Sequence, residues 1–314
     1  MDSFVTSLAI LISTTLMYST PLIFTSLGGV FSENSGVVNI GLEGMMTIGA
    51  FTGATVAVFT GNPWLAFACA GLAGGVFALI HAVASVSLKA DQVVSGIAIN
   101  FLAPGIAIFV SKVLFDGSTM TPAIPLDKKM PRYLNGLLPS GFIDTVFNTY
   151  ATTYLAFILV AVAWFILYRT RFGLRLRAVG EHPKAADTLG VNVYLVRYIC
   201  VILSGILAGF GGASMSLAIV STFRPTLVSG QGFIALAAMI FGKWKPQGAM
   251  LASILFGFSN GLVVFLGNPN IGVKAPESVL SMLPYLITLA VLVLFVGRAN
   301  GPAANGVPYE KGER

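Results

Sequence analysis

The sequence predicts an all-α protein, a polytopic transmembrane helix bundle of about eight or nine spans that includes one short or re-entrant helix. Hydrophobic residues make up 56% of the 314 residues, charged residues make up only 10%, and the mean hydropathy is +0.86. A soluble domain usually carries about 25% charged residues, so this chain could not cover a water-exposed surface. The composition therefore excludes a soluble enzyme, an extracellular disulfide scaffold and a disordered chain.

Nine apolar segments supply the predicted helices. They cover 3–27, 37–60, 63–88, 92–115, 151–168, 198–220, 231–242, 248–266 and 280–297. A full span needs about 20 apolar residues, and the segment 231–242 is too short for one. We predict that it is a half-helix or a re-entrant segment that ends at the turn 243–246. Short or Gly/Pro-interrupted segments often line the pathway of a membrane protein.

The distribution of basic residues predicts the orientation, because Lys and Arg are enriched in cytoplasmic loops. The loop 169–197 holds six of the 18 basic residues, and Lys89, the turn 243–246 and the tail 298–314 are also basic. We expect these parts to be cytoplasmic. The loop 116–148, in which the charges nearly balance, and the N-terminus are then external. The basic cytoplasmic loops of a membrane protein explain the net charge of +6, so we expect no binding of nucleic acid.

Small residues recur at four-residue spacing inside two apolar segments, which predicts close packing of helix backbones. They are Gly205, Gly209 and Ala213 in one segment, and Ser253, Gly257 and Gly261 in the other. The stretches 44–80 and 232–262 also share a pattern of helix, turn and Gly-bearing helix. This similarity indicates a possible two-fold internal repeat, a common plan in transporters.

Five polar side chains inside the apolar segments are candidates for a solute pathway, because such groups are costly in lipid and usually face a cavity or the bundle. They are Asn39, Glu43, Asn100, Gln231 and Asn260. Two interpretations of Glu43 remain open. It is either a pathway or gate residue, or it binds neighbouring backbone at a helix break. The amide side chains either contact a neutral polar solute or bond between helices.

Sequence motifs of catalysis, metal binding and nucleotide binding are absent. The chain lacks a G-x-x-x-x-G-K-[ST] phosphate loop, so we do not expect it to bind ATP. It also lacks a G-x-S-x-G nucleophile motif, and its two histidines have no zinc-binding spacing. The predicted protein is therefore not an enzyme and binds no cofactor or metal. Energy for uphill transport would have to come from a partner subunit.

A short helix is predicted within the basic loop 169–197. Pro183 suits the first turn of a helix, and Gly190 suits its C-terminal end. Ala185 and Ala186 provide a small apolar surface between flanking charges such as Glu181. Such a helix at the membrane edge is suited to dock a soluble partner, although an ordinary basic loop would have the same charges.

Two stretches resemble the permease subunits of bacterial ABC importers, in the family of branched-chain amino acid, ribose-type sugar and nucleoside permeases. The first stretch is 29–46, with Glu33, Asn39 and Glu43, and the second is 180–192. The second is similar to the Glu-Ala-Ala-x-x-x-Gly coupling loop of that family, with Lys184 in place of the Glu. The first stretch and the chain length look most like the shorter permease of purine-nucleoside importers.

This resemblance implies a single transmembrane permease domain over residues 1–314, in a bacterial plasma (inner) membrane. It implies import of a neutral polar solute, either nucleosides or ribose-type sugars. The implied partners are an ATP-binding cassette subunit that carries the ATP, a second permease and an extracytoplasmic solute-binding protein or lipoprotein. A stand-alone secondary carrier or channel would need its own ion site or filter. A membrane enzyme would need a nucleophile or metal cluster.

Overall fold

The computed structural model describes residues 3–136, 138–139, 141–267, 279, 282–284, 286–287, 289–290 and 300–311. Within this part of the chain, eleven α-helices follow one another and strands are absent. The helices are α1 (Ser3–Asn34), α2 (Leu42–Thr60), α3 (Pro63–Ala82), α4 (Gln92–Leu114), α5 (Phe142–Phe147), α6 (Ala151–Arg169), α7 (Arg171–Glu181), α8 (Pro183–Thr188), α9 (Val193–Ser214), α10 (Gln231–Phe241) and α11 (Pro246–Leu266). The π-helical segments Val83–Ser87 and Met215–Ile219 extend α3 and α9.

Seven helices in the described part of the chain are long and apolar enough to cross a membrane: α1, α2, α3, α4, α6, α9 and α11. The all-α transmembrane bundle is therefore confirmed. The helix α10 has only 11 residues, which confirms the predicted half-helix. The predicted span 280–297 lies mostly outside the described residues. The internal repeat stays a prediction.

Two predicted boundaries were wrong. The second span begins at Leu42 rather than at residue 37, because residues 37–41 are not helical. The helix α9 begins at Val193, so Arg197 belongs to this helix rather than to the preceding loop. Arg197 is only 1% exposed, and a hydropathy pattern cannot reveal a buried arginine whose partners are distant in sequence.

The predicted close approach of helix backbones is confirmed for both sets of small residues, the one in α9 and the one in α11. A Cβ atom on Gly74 of α3 would lie 2.2 Å from the carbonyl oxygen of Gly205 in α9. A Cβ atom on Gly257 of α11 would lie 2.6 Å from the backbone of Ser19 in α1. Since lipid gives little hydrophobic drive for association, such contacts hold the bundle together by packing.

The loop 116–148 folds onto the end of α9. Backbone N–H groups of Thr121, Ile124 and Met130 donate to carbonyl oxygens of the 217–223 stretch at 2.8–3.2 Å. Ile124 and Met130 are buried. The loop therefore covers one end of the bundle, opposite the end that carries α7 and α8.

Candidate functional site

The chain leaves helical geometry between α1 and α2, and side chains of α3 and α4 bind the free backbone there. We refer to residues 35–41 as the α1–α2 break. The backbone N–H of Val38 donates to Gln92 Oε1 at 2.7 Å, and His81 Nε2 donates to the carbonyl oxygen of Val38 at 3.0 Å. The hydroxyl of Ser95 lies 2.9 Å from His81 Nδ1 and fixes the ring. Buried backbone groups need such partners, so these side chains stabilise the irregular backbone of the break.

Asn100, a predicted pathway residue on α4, binds the other side of the break. Its carboxamide oxygen accepts from the backbone N–H of Gly44 at 2.8 Å, and its Nδ2 donates to the carbonyl oxygen of Ile40 at 3.0 Å. Gly44 packs so closely on α4 that a Cβ atom would lie 2.5 Å from the carbonyl oxygen of Ile99. Asn100 thus acts as a clamp on the first turn of α2.

Glu43 joins the start of α2 to the start of the half-helix α10. Its Oε1 accepts from the N–H of Gly230 at 2.6 Å, and its Oε2 accepts from the N–H of Gly232 at 2.7 Å. A carboxylate at a helix N-terminus satisfies free N–H groups and interacts favourably with the helix dipole. A Cβ atom on Gly232 would lie 2.5 Å from Glu43 Cα. Of the two interpretations of Glu43, this geometry matches binding of neighbouring backbone at a helix break.

The structure brings four of the five predicted pathway residues around this junction. Glu43, Asn100 and Gln231 are each partly exposed there. Asn39 is fully buried and donates from Nδ2 to the hydroxyl of Ser204 at 3.0 Å, so it bonds between helices. Asn260 lies apart on α11, next to Gly261, which packs on α1.

If the turn 243–246 lies at one face of the membrane, as the positive-inside rule predicts, the junction lies at membrane depth. An 11-residue helix such as α10 rises about 16 Å, at about 1.5 Å per residue, above that turn. That is roughly half of a hydrocarbon core about 30 Å thick. Non-helical backbone at this depth is tolerated only where protein buries it or where it lines a cavity. The partly exposed polar groups here are therefore suited to face a passage.

The segment 169–197 contains two consecutive helices, α7 and α8, of which the turn residues predicted only the second. Gly190 has φ +79°, and its N–H donates to the carbonyl oxygen of Asp187 at 2.9 Å, as expected of a residue that ends a helix. Pro183 is the first residue of α8. The predicted short helix is therefore present.

The side chains of α8 and of the residues at its two ends divide into a buried and an exposed set. Ala186 is only 2% exposed, so its methyl group packs within this chain and is not available to a partner. Glu181 and Ala185 are exposed, and Leu189 is 84% exposed. Leu189 therefore replaces Ala186 as the apolar group that a partner would contact. The sequence alone could not separate them, because the short helix gives no clear apolar periodicity.

Sequence reasoning missed the residues that organise the break. Gln92, His81 and Arg197 bind the backbone of the break, yet the sequence predicted no partner for any of them. Arg197 donates from Nε to the carbonyl oxygen of Ser35 at 3.2 Å. The sequence did give one signal, because an ionisable or amide side chain within an apolar segment must find a partner. It did not show which group that partner is.

Comparison with known proteins shows the family of this chain. The family described as branched-chain amino acid transport system / permease component matches residues 11–294. The chain belongs to this permease family. It is therefore a permease of a membrane transport system and not an enzyme.

Similar proteins match it over nearly the full length. The guanosine ABC transporter permease protein NupQ of Bacillus subtilis is 48% identical, with 98% of each chain covered. The nucleoside ABC transporter permease protein NupC of Lactococcus lactis is 47% identical, also with 98% of each chain covered. A putative glucose ABC transporter permease protein, TsgC13 of Haloferax volcanii, is 36% identical, with 92% of each chain covered.

Proposed function

We propose that this permease translocates nucleosides as one membrane subunit of an ABC importer. The observation that carries the proposal is the junction of the α1–α2 break with the half-helix α10 at Glu43. Its partly exposed polar groups, which would lie at membrane depth, support the proposal. The two nucleoside permeases that share nearly half of its residues support the substrate class.

The chemistry of the junction favours a neutral solute. Both carboxylate oxygens of Glu43 already accept hydrogen bonds from α10, so its charge is compensated by that helix N-terminus. Asn100 and Gln231 offer carboxamide groups, which both donate and accept hydrogen bonds. A nucleoside presents hydroxyl groups and base edges of the same two kinds.

A second permease subunit would complete the passage. Polar groups at membrane depth do not face lipid, and Glu43, Asn100 and Gln231 are partly exposed in the single chain. The helix α4, which carries Asn100, also exposes a row of large apolar side chains, with Phe101 78% exposed. A sister permease packed along α4 would cover this face, and the solute would pass between the two subunits.

The remaining partners bind at opposite ends of the bundle. An ATP-binding cassette subunit, which holds the ATP, docks on residues 181–190 through Ala185 of α8 and Leu189 just after it, with Glu181, Pro183 and Gly190 shaping the segment. A solute-binding protein or lipoprotein delivers the solute to the loop 116–148. The positive-inside rule then sets the topology in the plasma membrane of a bacterium, with the N-terminus outside and residues 169–197 and 298–314 in the cytoplasm.

The test is transport by the assembled complex in proteoliposomes. We expect ATP-dependent uptake of radiolabelled guanosine that excess adenosine reduces and excess ribose does not. Competition by ribose and not by adenosine would make the protein a sugar permease instead. Guanosine uptake by this chain alone, without ATP and partner subunits, would identify a stand-alone carrier and refute the proposal.

A further inference from the structure

The last described residues of the chain form a packed element at the α8 end of the bundle. We refer to residues 300–311 as the tail segment. It has no helix or strand, yet Ala304 and Tyr309 are only 7% and 5% exposed. Glu310 forms an ion pair with Lys89 in the turn between α3 and α4. A free charged tail would not bury side chains in this way.

The tail segment binds the helices of the predicted coupling loop. The N–H of Ala304 donates to the carbonyl oxygen of Gly180 at 2.8 Å, near the end of α7. The hydroxyl of Tyr194 in α9 donates to the carbonyl oxygen of Tyr309 at 3.3 Å, and the two rings pack edge to face. Burial and the Asp187 carboxylate raise the pKa of Tyr309 to about 12, so its hydroxyl stays protonated. The tail segment thus contacts α7 and α9, the two helices that flank α8.

The same segment binds the end of α1 and the turn below the half-helix. Asn305 Nδ2 donates to Glu33 Oε2 at 3.0 Å, and Trp244 Nε1 donates to the same oxygen at 2.6 Å. Glu33 is only 5% exposed. Asn34 Nδ2 also donates to the carbonyl oxygen of Trp244 at 3.0 Å. The Glu33 carboxylate therefore joins α1, the tail segment and the base of α10.

Arg197 fixes the middle of the tail segment to the α1–α2 break. Its Nη1 donates to the carbonyl oxygen of Val307 at 3.0 Å, and its Nε donates to the carbonyl oxygen of Ser35 at 3.2 Å. A buried guanidinium that binds backbone oxygens from two segments holds them at a fixed separation. The contacts to α7, the break and Glu33 thus belong to one short stretch of chain.

We propose that the tail segment transmits the movement of the coupling helices, α8 and the adjoining α7, to the α1–α2 break and to the base of the half-helix. Asn305 is its positioning residue. This inference rests on the proposed function, because α8 moves only if an ATPase acts on it. Rigid elements with specific contacts at both ends are what a coupling route requires.

The first test separates coupling from support of the fold. Asn305→Ala removes the contact to Glu33. Val307→Ala is the matched control, since that side chain is 53% exposed and its backbone contact to Arg197 is kept. In the assembled complex we expect Asn305→Ala to lower the ratio of guanosine uptake to ATP hydrolysis about tenfold, as for one lost hydrogen bond to a charged group. We expect Val307→Ala to leave the ratio unchanged. An unchanged ratio in Asn305→Ala, whether both activities fall or neither does, overturns the proposal.

The second test needs no transported solute, so it is independent of the nucleoside assignment. Lys89→Cys and Glu310→Cys, in a background without Cys69 and Cys200, place a thiol on each side of the ion pair. A short bifunctional thiol reagent should link them in the nucleotide-free complex, and ATP with vanadate should abolish most of the cross-linking. Equal cross-linking in the two states would show that the tail segment does not move, and would overturn the proposal.

Discussion

Replacing Glu43 tests whether the start of the half-helix depends on this carboxylate. Glu43→Leu removes both hydrogen bonds, to the N–H groups of Gly230 and Gly232. Hydrogen bonds to a charged group contribute about 1.5–3 kcal/mol each, so the loss is at most roughly 3–6 kcal/mol. Gly230 is partly exposed and water replaces part of its bond, which lowers the expected loss to about 2–4 kcal/mol.

Glu43→Gln should be milder. Its carboxamide oxygen can accept from one N–H group, but its NH₂ group cannot accept from the other. The expected loss is therefore about 1.5–3 kcal/mol, from one bond instead of two. Each 1.4 kcal/mol corresponds to about a tenfold change in the population of the correctly joined conformation.

The assay is solute uptake at matched membrane levels, together with thermal unfolding of the purified complex. Asp127→Asn is the control, because this acidic side chain is exposed in the loop 116–148. We expect uptake to fall in the order wild type, Glu43→Gln, Glu43→Leu, with the control unchanged. Wild-type uptake and stability in Glu43→Leu would refute the reasoning, since the N–H groups of Gly230 and Gly232 would then need no partner.

Three further predictions concern packing, topology and coupling. Gly74→Leu should lower the unfolding temperature and the yield of folded protein, because a Cβ atom at Gly74 would lie 2.2 Å from the carbonyl oxygen of Gly205. Gly105→Ala should change neither, because nothing lies within 4 Å of the added Cβ atom. Thermal unfolding of the two variants in detergent tests this prediction. Cysteines at Leu126 and Leu189, which are 83% and 84% exposed, should react differently with an impermeant thiol reagent in intact cells. Only the former should be labelled, and labelling of the latter would contradict the proposed topology. Leu189→Ser should reduce copurification of the ATPase without changing unfolding of the permease. Gly190→Val should act similarly, because φ +79° disfavours a β-branched residue; wild-type copurification in both would exclude this surface.

Much of the fold followed from the sequence because its signals are local. Composition and the length of apolar runs predicted the membrane bundle, and the short segment 231–242 predicted the half-helix. Pro183 and Gly190 set the two ends of the short helix, because both act on backbone geometry within one turn. Glycine spacing likewise predicted the close helix contacts, since small residues at four-residue intervals share one face.

The candidate site could be predicted only in part. The sequence identified Glu43 and Asn100 as polar groups that need partners. It did not show that Glu43 binds an N-terminus 187 residues away, or that Asn100 clamps the start of α2. Hydropathy also counted residues 37–41 as helix, since the apolar Val37, Val38 and Ile40 do not reveal that distant side chains bind the backbone there.

Burial and long-range pairing were decided by the tertiary structure alone. Ala186 and Leu189 are both apolar and lie three residues apart in or next to α8, yet packing within this chain buries the first and leaves the second exposed. Arg197 was counted as a charge of the loop 169–197, but the tail segment and the α1–α2 break supply backbone oxygens that allow its burial. The sequence by itself determined which segments enter the membrane, because transfer from water depends on each segment's own composition. The partner of each polar group depends on which segments meet in space, and that was settled only when the helices packed.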